Sequence, residues 1–178
     1  PATLRRQRQM CIRDRPCPVE RMSAVYALGR NPCPSAVEKL VSLLETDDNA
    51  YVRRATAWSL ANYDNQIVLE PLINALKNDV AAVRLWSSSS LAEIGNVSSK
   101  NAELAAEQLL ISLKIDNESG VRSNCIWSLC RLFEKLDNTF QECFVDECTK
   151  IALFDKEPSV MEEAKTALDS MGMQGFYN

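Results

Sequence analysis

The feature that most constrains this 178-residue chain is a nonapeptide that returns at a nearly fixed interval. Val52-Arg53-Arg54-Ala55-Thr56-Ala57-Trp58-Ser59-Leu60 recurs as Val83-Arg84-Leu85-Trp86-Ser87-Ser88-Ser89-Ser90-Leu91 and as Val121-Arg122-Ser123-Asn124-Cys125-Ile126-Trp127-Ser128-Leu129. Degenerate copies open at Glu20 and at Val160, and the closing leucines lie 32, 31, 38 and 39 positions apart. The unit is therefore about thirty-one residues, with longer connections before the fourth and fifth copies. A period of this size marks repeated supersecondary units that bury their apolar faces by stacking.

Each motif follows a second amphipathic segment: Val37 to Leu44, Leu69 to Leu76, Ala106 to Leu113 and Val145 to Leu153. Leu40, Leu72 and Leu109 are equivalent, and spacings such as Leu72/Leu76 are those of a helical stripe. Asp48, Asp79 and Asp116, or Asn117 beside it, fall where a short oxygen-bearing side chain caps a following helix. Pro71 falls in a first turn, where its missing N–H costs little. The expected fold is all-α: a right-handed α-α superhelix of about five helical pairs, the terminal ones degenerate. Residues 17–171 form one such domain, between a basic segment (1–16) and a tail (172–178). The run Gln9 to Arg15 resembles translated sequencing-adapter read-through, so residues 1–16 carry little weight.

With no histidine in the chain, Ser-His-Asp and Cys-His nucleophile systems and imidazole-ligated metals are excluded. Residues 1–30 hold seven arginines against Asp14 and Glu20, which leaves the body acidic. Without a basic face or interleaved aromatics, nucleic-acid binding is not expected. Seven cysteines with no CxxC pair read as reduced thiols in a cytoplasmic protein, with Cys125, Cys130 and Cys148 acting as small buried hydrophobes. No apolar run is long enough to span a membrane.

Counting the motif valine as zero, positions 0, 4, 7 and 8 share one helical face and should be core. Arg53, Arg84 and Arg122 at position 1 should pair with aspartates of adjacent repeats. The opposite face, expected to line the concave side, carries Tyr26 and Arg30, then Arg54, Trp58 and Asn62, then Trp86 and Glu93, then Asn124, Trp127 and Arg131. All three tryptophans belong to it. Large aromatics there suggest a recognition strip, since they offer wide contact area at low entropic cost. The alternative is that they tuck between helices. Flanking arginines suit a planar apolar molecule with carboxylates, or an amphipathic helix with acidic margins. The serines Ser87 to Ser90 look like a phosphorylation feature but fall at packed and concave positions.

Three helical-repeat families are weighed. Ankyrin repeats need a Thr-Pro-Leu-His turn, and the tetratricopeptide pattern is not recognisable. The run of Asp, Val-Arg, small residues and Leu (Asp48 to Leu60, Asp79 to Leu91, Asp116 to Leu129) resembles the short HEAT-like repeat of the phycobilisome-lyase family over residues 19 to 170. The resemblance implies a groove that holds a linear tetrapyrrole (bilin) transiently, with no permanent cofactor, and orients it toward the cysteine of a client. Its partners would be a phycobiliprotein subunit or a second HEAT-repeat chain. As an enzyme it would be a bilin lyase subunit working by positioning, because no self-contained catalytic constellation is present. The other class is a non-catalytic interaction scaffold, for instance an accessory factor in pigment or iron-sulfur assembly, where Cys143 and Cys148 would carry a cluster together with a partner's thiols. The HEAT-like deoxyhypusine hydroxylases, whose iron needs His-Glu motifs, are excluded.

Overall fold

The structure is a computed structural model that describes residues 17–64, 66–173 and 175. The basic segment 1–16 and residues 174 and 176–178 of the tail lie outside the described residues. Among the described residues there are nine α-helices and no strand: α1 (Pro18–Arg30), α2 (Val37–Thr46), α3 (Ala50–Leu60), α4 (Leu69–Asn78), α5 (Ala81–Gly95), α6 (Ser99–Ile115), α7 (Ser119–Leu132), α8 (Asn138–Phe154) and α9 (Pro158–Ser170). Helices α2/α3, α4/α5, α6/α7 and α8/α9 are the expected pairs, and α1 is the second helix of the degenerate first copy. None of the described helices is long and apolar enough to cross a membrane.

The chain divides into two compact units, one closing at Ile94 and one opening at Gly95. In the first, α3 packs against α1 and α2, and α2 against α4. In the second, α9 packs against both α7 and α8, and α6 against α7. The predicted core face is buried: Val52, Thr56, Ser59 and Leu60 on α3, and Val121, Cys125, Ser128 and Leu129 on α7. Leu40, Leu72 and Leu109 are fully buried on the first helices. The core is also wider than that stripe. Position 5 (Val25, Ala57, Ser88, Ile126) is fully enclosed, because a second helix is covered by its own first helix and by neighbouring second helices. One such contact is a hydrogen bond from the Ser90 hydroxyl to the Ala57 carbonyl at 2.8 Å.

The extra residues before the fourth and fifth copies do not form loops. Helices α6 and α8 have 17 residues where α2 and α4 have 10. The lengthening is two turns, which returns a helix to nearly the same face. The two classes also start differently. Helices α2 and α4 grow out of 3-10 turns and have no side-chain cap at Ala36 or Val68. Helix α6 is capped by the Ser98 hydroxyl, which accepts from the Asn101 amide, and α8 by Asp137, which accepts from the Phe140 amide.

Candidate functional site

The arginine at motif position 1 builds the same clip in both units. Arg53 donates through Nε and Nη2 to the Asp79 carboxylate at 2.7 and 2.6 Å, and through Nη1 to the Asp47 carbonyl at 2.7 Å. Arg122 repeats this on Asp155 (3.0 and 2.7 Å) and the Asp116 carbonyl (2.9 Å). Arg21 forks onto Asp47 at 2.8 and 2.9 Å. The expected arginine-aspartate pairing across repeats is thus present for Arg53 and Arg122. Burial pushes the Asp47, Asp79 and Asp155 carboxyls up, but the hydrogen bonds from their arginines and from turn amides outweigh it and hold them below the usual carboxylate range.

These aspartates are not the helix caps expected from the sequence. The periodic residue of the second copy is Asp47, not Asp48, and α3 is capped by Asn49, whose side chain accepts from the Tyr51 and Val52 amides. Asp47, Asp116 and Asp155 instead close the turn after a first helix by accepting the amide two residues on. Helices α7 and α9 begin at Glu118 and Glu157 without a side-chain cap. A carboxylate committed to an arginine of the preceding repeat cannot also reach into the next helix.

In the first unit the predicted strip residues meet in part. Tyr26 on α1 and Trp58 on α3 stack obliquely, with centroids 5.3 Å apart and planes at 60°. Trp58 is half-buried because its ring lies over Gly29, where a Cβ would overlap it. Its tucked position therefore matches the interhelical alternative, although one edge remains on the surface. Arg54 lies over the ring of Tyr51, a residue sequence reasoning passed over, with its Cζ 5.5 Å from the centroid. Trp86 on α5 is 37% exposed and Arg30 is exposed at the end of α1. The hydroxyl of Tyr26, the indole N–H groups of Trp58 and Trp86, and the guanidinium groups of Arg30 and Arg54 meet no hydrogen-bond acceptor among the described residues.

In the second unit Trp127 is 40% exposed, with the Arg131 Cζ 5.0 Å from its ring centroid, and Asn124 is half-buried on the same helix. Each unit thus has an arginine lying over an aromatic ring on a second helix, Arg54 on Tyr51 and Arg131 on Trp127. Cys125 and Cys148 are buried as expected, but Cys130 is only half-buried. Burial and then Glu163 push the Cys130 thiol up to about 11, and burial raises Cys148 further. Cys143 is exposed while Cys148 is buried, so the two thiols face different ways. Among the described residues no three Cys, Asp or Glu side chains gather as a metal site. Ser87, Ser88 and Ser90 are enclosed, which puts those hydroxyls out of reach of a modifying enzyme.

Clefts among the described residues lie away from the strip. One of about 570 Å3 between α2 and α4 is lined by Leu44, Glu45, Pro71, Asn74, Asn78 and the Arg53–Asp79 pair. A second, about 340 Å3, is lined by Phe133, Gln141, Val145 and Met173, and a third, about 270 Å3, by Arg21, Leu43, Thr46, Asp47 and Asp48. Sequence reasoning also missed Tyr63, a buried residue whose hydroxyl donates to the Leu28 carbonyl and accepts from the Cys33 amide. Nothing in the repeat pattern marks it, because it lies in the turn after the motif.

Similarity to known proteins accords with this geometry. An engineered protein solved as a structural-genomics target superposes with a TM-score of 0.63 at 22% identity, covering 86% of this chain and 74% of its own. A designed armadillo repeat protein in complex with the peptide (KR)4 gives 0.61 at 18%, covering 96% and 87%. A further designed armadillo repeat protein gives 0.61 at 19%, covering 91% and 79%. Curated protein sequences give no match. A family model described as HEAT repeats matches residues 9–92 and again 37–130. With paired helices, a recurring arginine-aspartate clip and this match over more than half of its length, the chain belongs to the HEAT-repeat family.

Proposed function

We propose that the chain is a binding scaffold whose second-helix face holds an apolar protein segment bearing carboxylates. One observation carries this reading: on α1, α3 and α5 the side chains of Tyr26, Arg30, Arg54, Trp58 and Trp86 keep donor groups that meet no acceptor among the described residues. Such a face favours a partner that supplies acceptors and negative charge along with apolar area. The designed armadillo neighbour is solved with a basic peptide; the arginines here call for the opposite charge.

The narrower reading, transient handling of a bilin for attachment to a phycobiliprotein, draws on the motif resemblance and on the same chemistry. A bilin is flat, largely apolar and carries propionates, so it suits aromatic rings bordered by arginines. Selection of a displayed library of random peptides on the whole chain, beside a titration with phycocyanobilin followed by tryptophan quenching, separates the two. Enrichment of peptides that combine apolar residues with Asp or Glu, lost in Trp86→Ala and Trp127→Ala proteins of unchanged helicity, supports the scaffold. Saturable pigment binding with a sharpened visible band supports the tetrapyrrole reading. Peptides that bind equally well to both tryptophan variants would place the binding surface elsewhere.

A further inference from the structure

Arg53 and Arg54 are consecutive on α3 and have opposite fates. Every nitrogen of the Arg53 guanidinium is committed to Asp79 or to the Asp47 carbonyl. Arg54 is half-buried, lies over Tyr51, and makes no hydrogen bond or ion pair with any described residue. Its Nε–H is enclosed and meets no acceptor. An enclosed donor left unmatched is destabilising and rare in folded proteins, so its retention asks for a partner.

The chain's own pairs show which partner fits. Arg21, Arg53 and Arg122 each present the Nε/Nη2 edge to a carboxylate, one nitrogen per oxygen. That edge is the geometry a planar guanidinium matches best. In Arg54 neither nitrogen of this edge has an acceptor. Tyr51 beneath it is 64% exposed, so the stack lies at the surface, and an arriving group pairs with the whole Nε/Nη2 edge once the side chain swings Nε out of its enclosure. A ring under the cation also holds it in place without consuming a donor.

Resting on the scaffold reading above, we infer that Arg54, stacked on Tyr51, is the specificity-determining anchor for one carboxylate of the bound segment, which it takes in a fork like those of the structural arginines. Arg30, exposed at the end of α1, adds charge without that geometry. Apolar residues of the partner then lie against Trp58 and Trp86.

The test uses the random-peptide selection on the whole chain and on an Arg54→Gln variant, with Arg54→Lys as a second variant that keeps stem and charge but not the fork. Wild type should enrich a fixed Asp or Glu beside apolar residues, and Arg54→Gln should keep the apolar preference and lose the acid. For one selected peptide, Arg54→Gln should weaken binding about ten- to hundredfold, with Arg54→Lys in between. Replacing the peptide's acid by its amide should then change nothing further in the Gln variant. Arg30→Gln should alter mainly the salt dependence. Enriched peptides without an acid, or an acid preference that survives Arg54→Gln, overturn the anchor while leaving the scaffold standing. If wild type enriches no peptide, both readings fall.

Discussion

The two compact units use one clip and differ in nearly everything around it. In the first, the outer surfaces of α2 and α4 are polar, with Glu38, Thr46, Asn74 and Asn78 exposed. In the second, the longer α6 and α8 expose Leu104, Ile111, Ile115 and Phe154, the last two at 72% and 80%. Ile115 and Phe154 each precede an aspartate held by the same Arg122 guanidinium, so they share one edge of that unit. In a repeat chain the bonds between repeats are thus held constant, while the outward faces are free to vary.

The largest test of that statement removes the clip. In Arg122→Ala the nearly buried Asp155 loses its cation and the unit should lose about 3–4 kcal/mol in urea unfolding, whereas the more open Arg53–Asp79 pair should cost about 2 kcal/mol. Equal losses would mean that burial does not set the strength of the clip. The same carboxylates shape the acid limb. Their folded pKa values lie below the unfolded value of 3.8, so the folded state binds fewer protons; this stabilisation is complete above about pH 4 to 5 and is lost as pH falls below it. Acid titration of Asp155→Asn should show a flatter loss than wild type.

A smaller contrast concerns the tryptophans. Trp58→Ala should cost about 2–3 kcal/mol, since the ring fills space over Gly29 and beside Tyr26, and Trp127→Ala less than about 1 kcal/mol. Smaller again is the glycine pair. Gly29→Ala drives a Cβ into the rigid indole and should destabilise by about 1–2 kcal/mol. Gly95→Ala meets the two methyls of the buried Leu132 at 2.8 and 3.2 Å rather than a rigid ring and, with its helix-propensity gain, should cost less than Gly29→Ala. The least effect is chemical: at pH 8 an alkylating reagent should label the exposed Cys17 and Cys143 and leave Cys130 and Cys148 untouched until the protein unfolds, which mass spectrometry of the digested protein resolves.

Much of this architecture was legible because repetition reports on packing. Position-equivalent residues such as Val52, Val83 and Val121 are buried together, and the arginines after Val52 and Val121 announce their aspartates. The chemistry of a single site repeats less. The assignment of caps went wrong at Asp48 because neighbouring Asp47, Asp48 and Asn49 all carry suitable oxygens, and the choice is made by an arginine 26 residues away. The length of α6 and α8 is legible in Ser98 and Asp137, both good cap residues, although neither belongs to the repeated motif. Whether a strip aromatic is open or tucked depends on what the adjacent helix offers, as Gly29 does for Trp58.

The seven-residue lengthening of α6 and α8 has an evolutionary consequence. In α2, α4 and α6 alike the clip aspartate follows the equivalent leucine by seven residues, so the extra residues lie at the N-terminal end. Three or four added there would swing the start of the helix by roughly 40–60° from the turn that feeds it, whereas seven swing it by only about 20°. First helices in such a chain can therefore gain or lose surface in increments of about 10 Å while every joint stays closed. Insertions of other sizes must be absorbed in the turns, and that gives the architecture a natural step by which relatives of different height can diverge without relearning how to stack.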